Sequence, residues 1–338
     1  MMQNPPLQGQ APGRPAVMRG MRTLARERPL LSYYLLALVI ATGVMVAFFF
    51  LVAHDSSTAY VLSDFATWAA VTGRYPNIAS LTTFAVTTER PATFLVFVFA
   101  AAPTAAALLV AVSAGGWRGV TAWLDRLRPW RNRVAADDGL RVYVAMAVVH
   151  LGVLGGYVAV ARAYAASALY DKTWAALGGS LGGVVATVFV GWLIDEGGTF
   201  EEMGWRGFAL PILQERLGSP LTASLCLGGL WMAWHLPREI TNILGGVPLE
   251  GWLVGQAKFL LLCMALSVVA TYLVNRTGGS AVPAILLHGG TNVWSKAAGG
   301  AVDAVFHVDV RTWIVVAAAA LTLIAAGRSL GLRPGTRP

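Results

Sequence analysis

Charge is what this chain has least of. Asp, Glu, Lys and Arg make up 12% of its 338 residues while 56% are hydrophobic, against about 25% charged in ordinary soluble domains. Few side chains can face water, so lipid is the natural solvent for most of the others. Cysteine is scarce too: Cys226 and Cys263 both lie inside apolar segments without C-x-x-C spacing, which gives no disulfide framework and no redox pair. A His-Glu-x-x-His helix, the mark of one large class of zinc peptidases, is missing. No basic stripe is interleaved with aromatics, so the net charge of +8 does not indicate nucleic acid as a partner.

That positive charge is gathered in Arg14 to Arg28, Arg118 to Arg141 and Arg328 to Arg337. Short basic loops resist translocation and stay on the cytoplasmic side, where anionic lipid headgroups are their partners. The expected fold is therefore an all-α, polytopic transmembrane bundle. Eight spans are predicted, at 32–53, 92–113, 141–164, 178–196, 219–236, 252–274, 280–297 and 311–328, each near the roughly 20 residues that cross a bilayer core. Residues 1–30, rich in Pro, Gly, Gln and Arg, are expected to be a disordered basic cytoplasmic tail, 31–177 the N-terminal transmembrane helices, and 178–330 the chemistry-bearing core. The first apolar run, Tyr33 to Ala53, is longer than a signal-peptide core and is read as a retained anchor. The charge pattern puts both termini inside, in what is expected to be a bacterial cytoplasmic membrane, with 197–218 among the inner segments.

Ionisable groups at membrane depth are costly, which makes each one a functional candidate. They concentrate in Glu201-Glu202-Met203-Gly204-Trp205-Arg206-Gly207, in Trp231-Met232-Ala233-Trp234-His235, and in His288-Gly289-Gly290-Thr291-Asn292. A helix over Phe200 to Leu210, N-capped by Thr199, sets Glu202 and Arg206 four residues apart on one face, where they form an ion pair. Glu201 is turned about 100° away from them. A carboxylate without a cation in apolar surroundings is suited to general-base work. Seen alone, however, the cluster reads equally well as a solvated helix start. His235 ends a span walled by Trp231 and Trp234, and a lone histidine there is more often packed than catalytic. His288 and Asn292 share a helix face and can both donate to a developing oxyanion, or simply bond a neighbouring helix.

Together, and in this order, the three motifs resemble the CAAX prenyl protease and bacteriocin-processing family of intramembrane proteases, also called the Abi family. The resemblance covers about residues 180–297 and extends through Arg206-Gly207-Phe208-Ala209-Leu210, with Trp231 where Phe is commoner. It implies an endopeptidase acting on a membrane-associated peptide or protein. Glu201 and His235 would activate water, His288 and Asn292 would stabilise the oxyanion, and Glu202 with Arg206 would be a structural pair. No cofactor is implied. The alternative is a zinc held by Glu201, His235 and His288, which would supply the three ligands of a catalytic site. Two other functions stand beside this one: a non-catalytic membrane scaffold or bacteriocin immunity factor, and a proton-coupled transporter, for which no inverted repeat is visible.

One conflict is internal to this reading. If the fifth span starts near Ser219 on the inside, His235 lies about 24 Å further along the axis, at about 1.5 Å per residue. Glu201 would sit at the inner boundary, and the two would not meet. Either 197–217 enters the membrane, or the fourth span continues through the glutamates, or the fifth is strongly tilted.

Overall fold

A computed structural model describes residues 16–72, 74, 76–130, 133–164, 171, 174–175, 179–296 and 300–333. Residues 1–15 of the expected tail and most of the expected 165–177 loop lie outside the described residues. Within them the chain is helical, with no strand. The helices are α1 (Ala16–Glu27), α2 (Pro29–His54), α3 (Val61–Val71), α4 (Ile78–Thr87), α5 (Phe94–Leu124), α6 (Arg133–Tyr164) and α7 (Leu181–Leu193). There follow α8 (Glu196–Gly204), α9 (Leu210–Leu217), α10 (Pro220–Leu244), α11 (Leu249–Arg276), α12 (Val282–Trp294), α13 (Gly300–Phe306) and α14 (Val310–Ala326). Residues 16–27 thus form a helix where a disordered tail was expected. Arg22 and Arg26 of this helix donate to the Ser113 and Ala114 carbonyls of α5.

Among the described residues, six stretches are long and apolar enough to cross a membrane: Pro29–His54, Pro91–Leu127, Gly139–Tyr164, Leu181–Leu217, Leu249–Arg276 and Val310–Ser329. The chain is an integral membrane protein. Two of the eight expected spans differ in kind. The 25-residue α10 is interrupted by His235, Pro237, Arg238 and Glu239, and α12 has 13 residues, about 20 Å of helix, which is short of the roughly 30 Å core.

The sequence of α2 shows how such a helix is oriented. Tyr33, Ala37, Ala41 and Val44 recur at helical spacing and are buried, whereas Val39 and Phe50 on other faces are 66% and 73% exposed. In water those side chains would be an aggregation liability; in hydrocarbon they are the expected outer surface. The small inward residues let α2 approach the core closely. The Tyr33 ring meets Trp205 edge-on at 5.5 Å, and the Ala37 carbonyl accepts from Trp234 Nε1 at 3.3 Å.

Helices α8 and α9 are joined by one wider π-turn, Trp205–Ala209, so that Glu196 to Leu217 forms a continuous rod. Such turns leave carbonyls for other donors and recur at functional sites. Here α5 holds the segment. Thr104 Oγ1 donates to the Phe200 carbonyl, and Trp123 Nε1 donates to the Met203 carbonyl at 3.0 Å. The rod ends at Gly218, whose φ of +62° is the left-handed conformation that glycine adopts without strain. Ser219 then caps α10 through the Thr222 amide, and Pro220 occupies its first turn.

This hairpin resolves the conflict over depth. Glu201 lies 17 residues before Gly218 and His235 lies 17 after it. Two antiparallel helices leaving one turn therefore bring both residues to the same level, about 25 Å from it. The 197–218 segment is consequently part of the helical bundle and not an inner loop as the charge pattern suggested.

Candidate active site

The site is built from the start of the rod. Asp195, in extended conformation, caps α8 by accepting from the Gly198 amide at 2.9 Å. The helix thus begins at Glu196, four residues earlier than expected, and Thr199 is not the cap: its hydroxyl donates to the Leu193 carbonyl at 2.9 Å. Asp195 is 1% exposed and does more than cap. Its carboxylate also accepts from Asn292 Nδ2 and from Lys296 Nζ, both at 2.8 Å. Sequence reasoning missed Asp195 and Lys296, although an aspartate directly before Glu-Gly-Gly at a helix start is a readable capping signal.

One turn further on, the two glutamates diverge as their 100° offset requires. Glu202 and Arg206 form the expected ion pair at 2.8 Å, at 1% and 0% side-chain exposure. Arg206 also donates to Ser267 Oγ on α11 at 2.8 Å, and its guanidinium carbon lies 4.5 Å from the centre of the Trp231 ring. The same Glu202 oxygen accepts from His288 Nδ1 at 2.9 Å. Glu202 is therefore not only a partner for arginine; it joins the first motif to the third.

Glu201 takes the other direction. Its Oε2 accepts from Trp231 Nε1 at 2.7 Å, and among the described residues no lysine or arginine pairs with it. Trp231 is the hub. Its carbonyl lies 2.9 Å from His235 Nδ1, and its ring meets His288 edge-on at 5.1 Å. A carbonyl can only accept, so His235 carries its proton on Nδ1 and keeps the lone pair of Nε2. Trp234, expected as a second cavity wall, is fully buried and packs at 4.6 Å on both Phe99 and His235. Three residues beyond Trp231 on the same helix, it braces the histidine from the core and does not line the cavity.

That cavity holds about 680 Å³, and Glu201, Trp231, His235, His288 and Asn292 all line it. Much of the rest of its wall is apolar and comes from helices that carry none of the motifs, with Met45 and Phe48 of α2, Leu62 of α3 and Leu95 and Phe99 of α5, while Arg238 and Arg311 add charge. Gly197, which also lines the cavity, is critical. A Cβ there would lie 2.7 Å from His288 Nε2 and 3.2 Å from Asn292 Nδ2, so both side chains reach one point beside this backbone. Gly197→Ala is expected to displace both, lowering any activity of the site by about tenfold or more, since small misplacements of reacting groups are costly. The fold should persist, and a melting curve recorded beside the activity assay separates the two effects.

The zinc alternative meets a different geometry. Among the described residues no three His, Cys, Asp or Glu side chains converge closely enough to hold a metal ion. The Nδ1 bonds of His235 and His288 leave each Nε2 open, as in zinc-bound histidines, and Glu201 keeps one oxygen. The misfit with a catalytic zinc therefore lies in the spacing of the three groups alone.

The class of protein is now defined: an all-α polytopic membrane protein with a partly polar cavity inside the helical bundle. Residues 178–294 match the family described as Type II CAAX prenyl endopeptidase Rce1-like. A 91-residue stretch is 31% identical to the protein named CAAX prenyl protease 2 of Methanococcus maripaludis, covering 27% of this chain and 33% of that protein. The match thus spans a third of the curated relative's length. All three motifs fall inside the matched residues, and through that segment the chain is similar to this family.

Proposed function

We propose that this protein is an intramembrane endopeptidase that hydrolyses a peptide bond in a membrane-associated peptide or protein. The observation that carries the reading is the convergence, in one cavity, of a carboxylate bonded to no lysine or arginine and two imidazoles through Trp231. In this mechanism Glu201 takes a proton from water through the oxygen that Trp231 leaves open, while His235 Nε2 accepts the second hydrogen bond of that water and orients it. Hydroxide attacks the carbonyl carbon, and the former carbonyl oxygen becomes an oxyanion facing His288 and Asn292. When the His288 ring carries both protons, Nδ1 stays on Glu202 and Nε2 donates to the oxyanion; Asn292 donates its amide proton not held by Asp195. Glu201 then passes its proton to the leaving amine as the C–N bond breaks.

The apolar part of the cavity wall suits a greasy substrate group. The relative's name speaks of prenylated CAAX substrates, so a prenylated CAAX peptide and its unprenylated twin are the first probes. Cleavage of either by purified protein in detergent supports the peptidase reading, and no cleavage across a broader set of membrane-derived peptides would remove it. We further propose that no metal takes part, a reading supported by the ligand geometry. Dialysis against a strong chelator is expected to leave the cleavage rate within twofold of its starting value. A loss that zinc restores would reinstate the metal.

A further inference from the structure

A second cavity, of about 380 Å³, lies between α6, α11, α12 and α14, away from the motif face. Its walls are mostly apolar, including Met146, Val149, Val269 and Ile314, and charge enters at one end only, through Arg141 and Arg276. Those two belong to the same end. Arg141 stands near the start of α6 and Arg276 closes α11. Tyr143, two residues after Arg141, meets the Ser280 side chain in the turn that follows Arg276. An apolar groove about 12–15 Å long, spanned by eight to ten residues of helix, thus opens beneath two guanidinium groups, on the side where Arg126 donates to the Gly279 carbonyl and Asn275 to the Leu330 carbonyl.

From this pairing we propose that the groove is a binding site for an anionic phospholipid. The headgroup phosphate sits at Arg141 and Arg276, and one acyl chain runs along Met146, Val149 and Ile314. Charge complementarity selects this occupant over a neutral lipid, because basic pockets between membrane helices on the cytoplasmic side hold anionic headgroups. The deep end of the groove reaches Leu266 and Thr291, and both of these also line the first cavity. The chain end therefore presses on the rear of α12, the helix that presents His288 and Asn292 to the other side. Lipid binding does not depend on the peptidase reading.

The test is native mass spectrometry of the full chain, delipidated and then mixed with phosphatidylglycerol or phosphatidylcholine. A tight phosphatidylglycerol adduct and a weak phosphatidylcholine one are expected. Two arginines near a headgroup contribute about 2 kcal/mol, so the Arg141→Gln, Arg276→Gln double variant should lose about thirtyfold in phosphatidylglycerol affinity. Ala145→Phe, which fills the apolar part and keeps both arginines, should also lose the adduct, and its melting temperature without lipid shows whether it folds. Inorganic phosphate at the same concentration should not displace the lipid; displacement would mean a site for free phosphate. Equal adducts with both lipids, or an unchanged adduct in the folded Ala145→Phe variant, would overturn the proposal.

Discussion

Glu201→Gln is expected to slow peptide cleavage by about 10²–10⁴-fold, the usual contribution of a positioned general base, while the protein remains folded. The substitution is close to isosteric, and its amide oxygen can still accept from Trp231 Nε1, the bond that Glu201 makes at 2.7 Å. What it loses is the capacity to take a proton. The measurement is single-turnover cleavage by purified variant and parent, paired with melting curves in detergent. A variant that cuts at the parental rate would defeat the assignment of Glu201, and one that is cleavage-dead yet supports normal function in cells would point to the scaffold reading instead.

The second large effect concerns stability. Arg206 is wholly enclosed, bonded to Glu202 and Ser267 and stacked on Trp231. Arg206→Met leaves the Glu202 carboxylate buried with only His288 as a partner, and removing one member of a buried ion pair costs about 3–5 kcal/mol. The Glu202→Gln, Arg206→Met double variant removes both charges and should recover much of that loss. It should not recover activity, because the amide that replaces Glu202 can still accept from His288 Nδ1 but brings no negative charge to support the second ring proton that Nε2 donates. Melting temperature and cleavage rate are therefore expected to part in the double variant. Recovery of both together would show that the Glu202 charge beside His288 has no part in the chemistry.

These two residues also show how far the sequence alone could be read. The four-residue spacing of Glu202 and Arg206 fixes a shared helix face, because helical geometry is local, and the pair forms as expected. The 100° offset of Glu201 likewise foretold its different partner. What spacing could not supply was the identity of contacts made across helices. The bond from His288 to Glu202 spans 86 residues, and that from Asn292 to Asp195 spans 97. Asp195 passed unnoticed because Thr199 offered a competing cap, and the choice between them depended on where α7 breaks.

The N-terminal helices make the same point more strongly. Nothing in residues 31–177 carries a motif, yet Thr104 and Trp123 hold the Phe200 and Met203 carbonyls, and α2, α3 and α5 give apolar residues to the cavity wall. Packing contacts of this kind leave only a hydrophobic pattern in the sequence, which looks the same whether a helix faces lipid or lines a site.

By itself, then, the sequence determined the solvent, the helical class and the set of polar residues too costly to bury without purpose, since each follows from composition or from spacing within one helix. The tertiary structure decided the depth at which those residues meet. That depth depends on the turn at Gly218, which folds the 196–217 rod back along α10 and brings Glu201 level with His235, and the path of a chain through a bundle is set by long-range packing that no local pattern encodes.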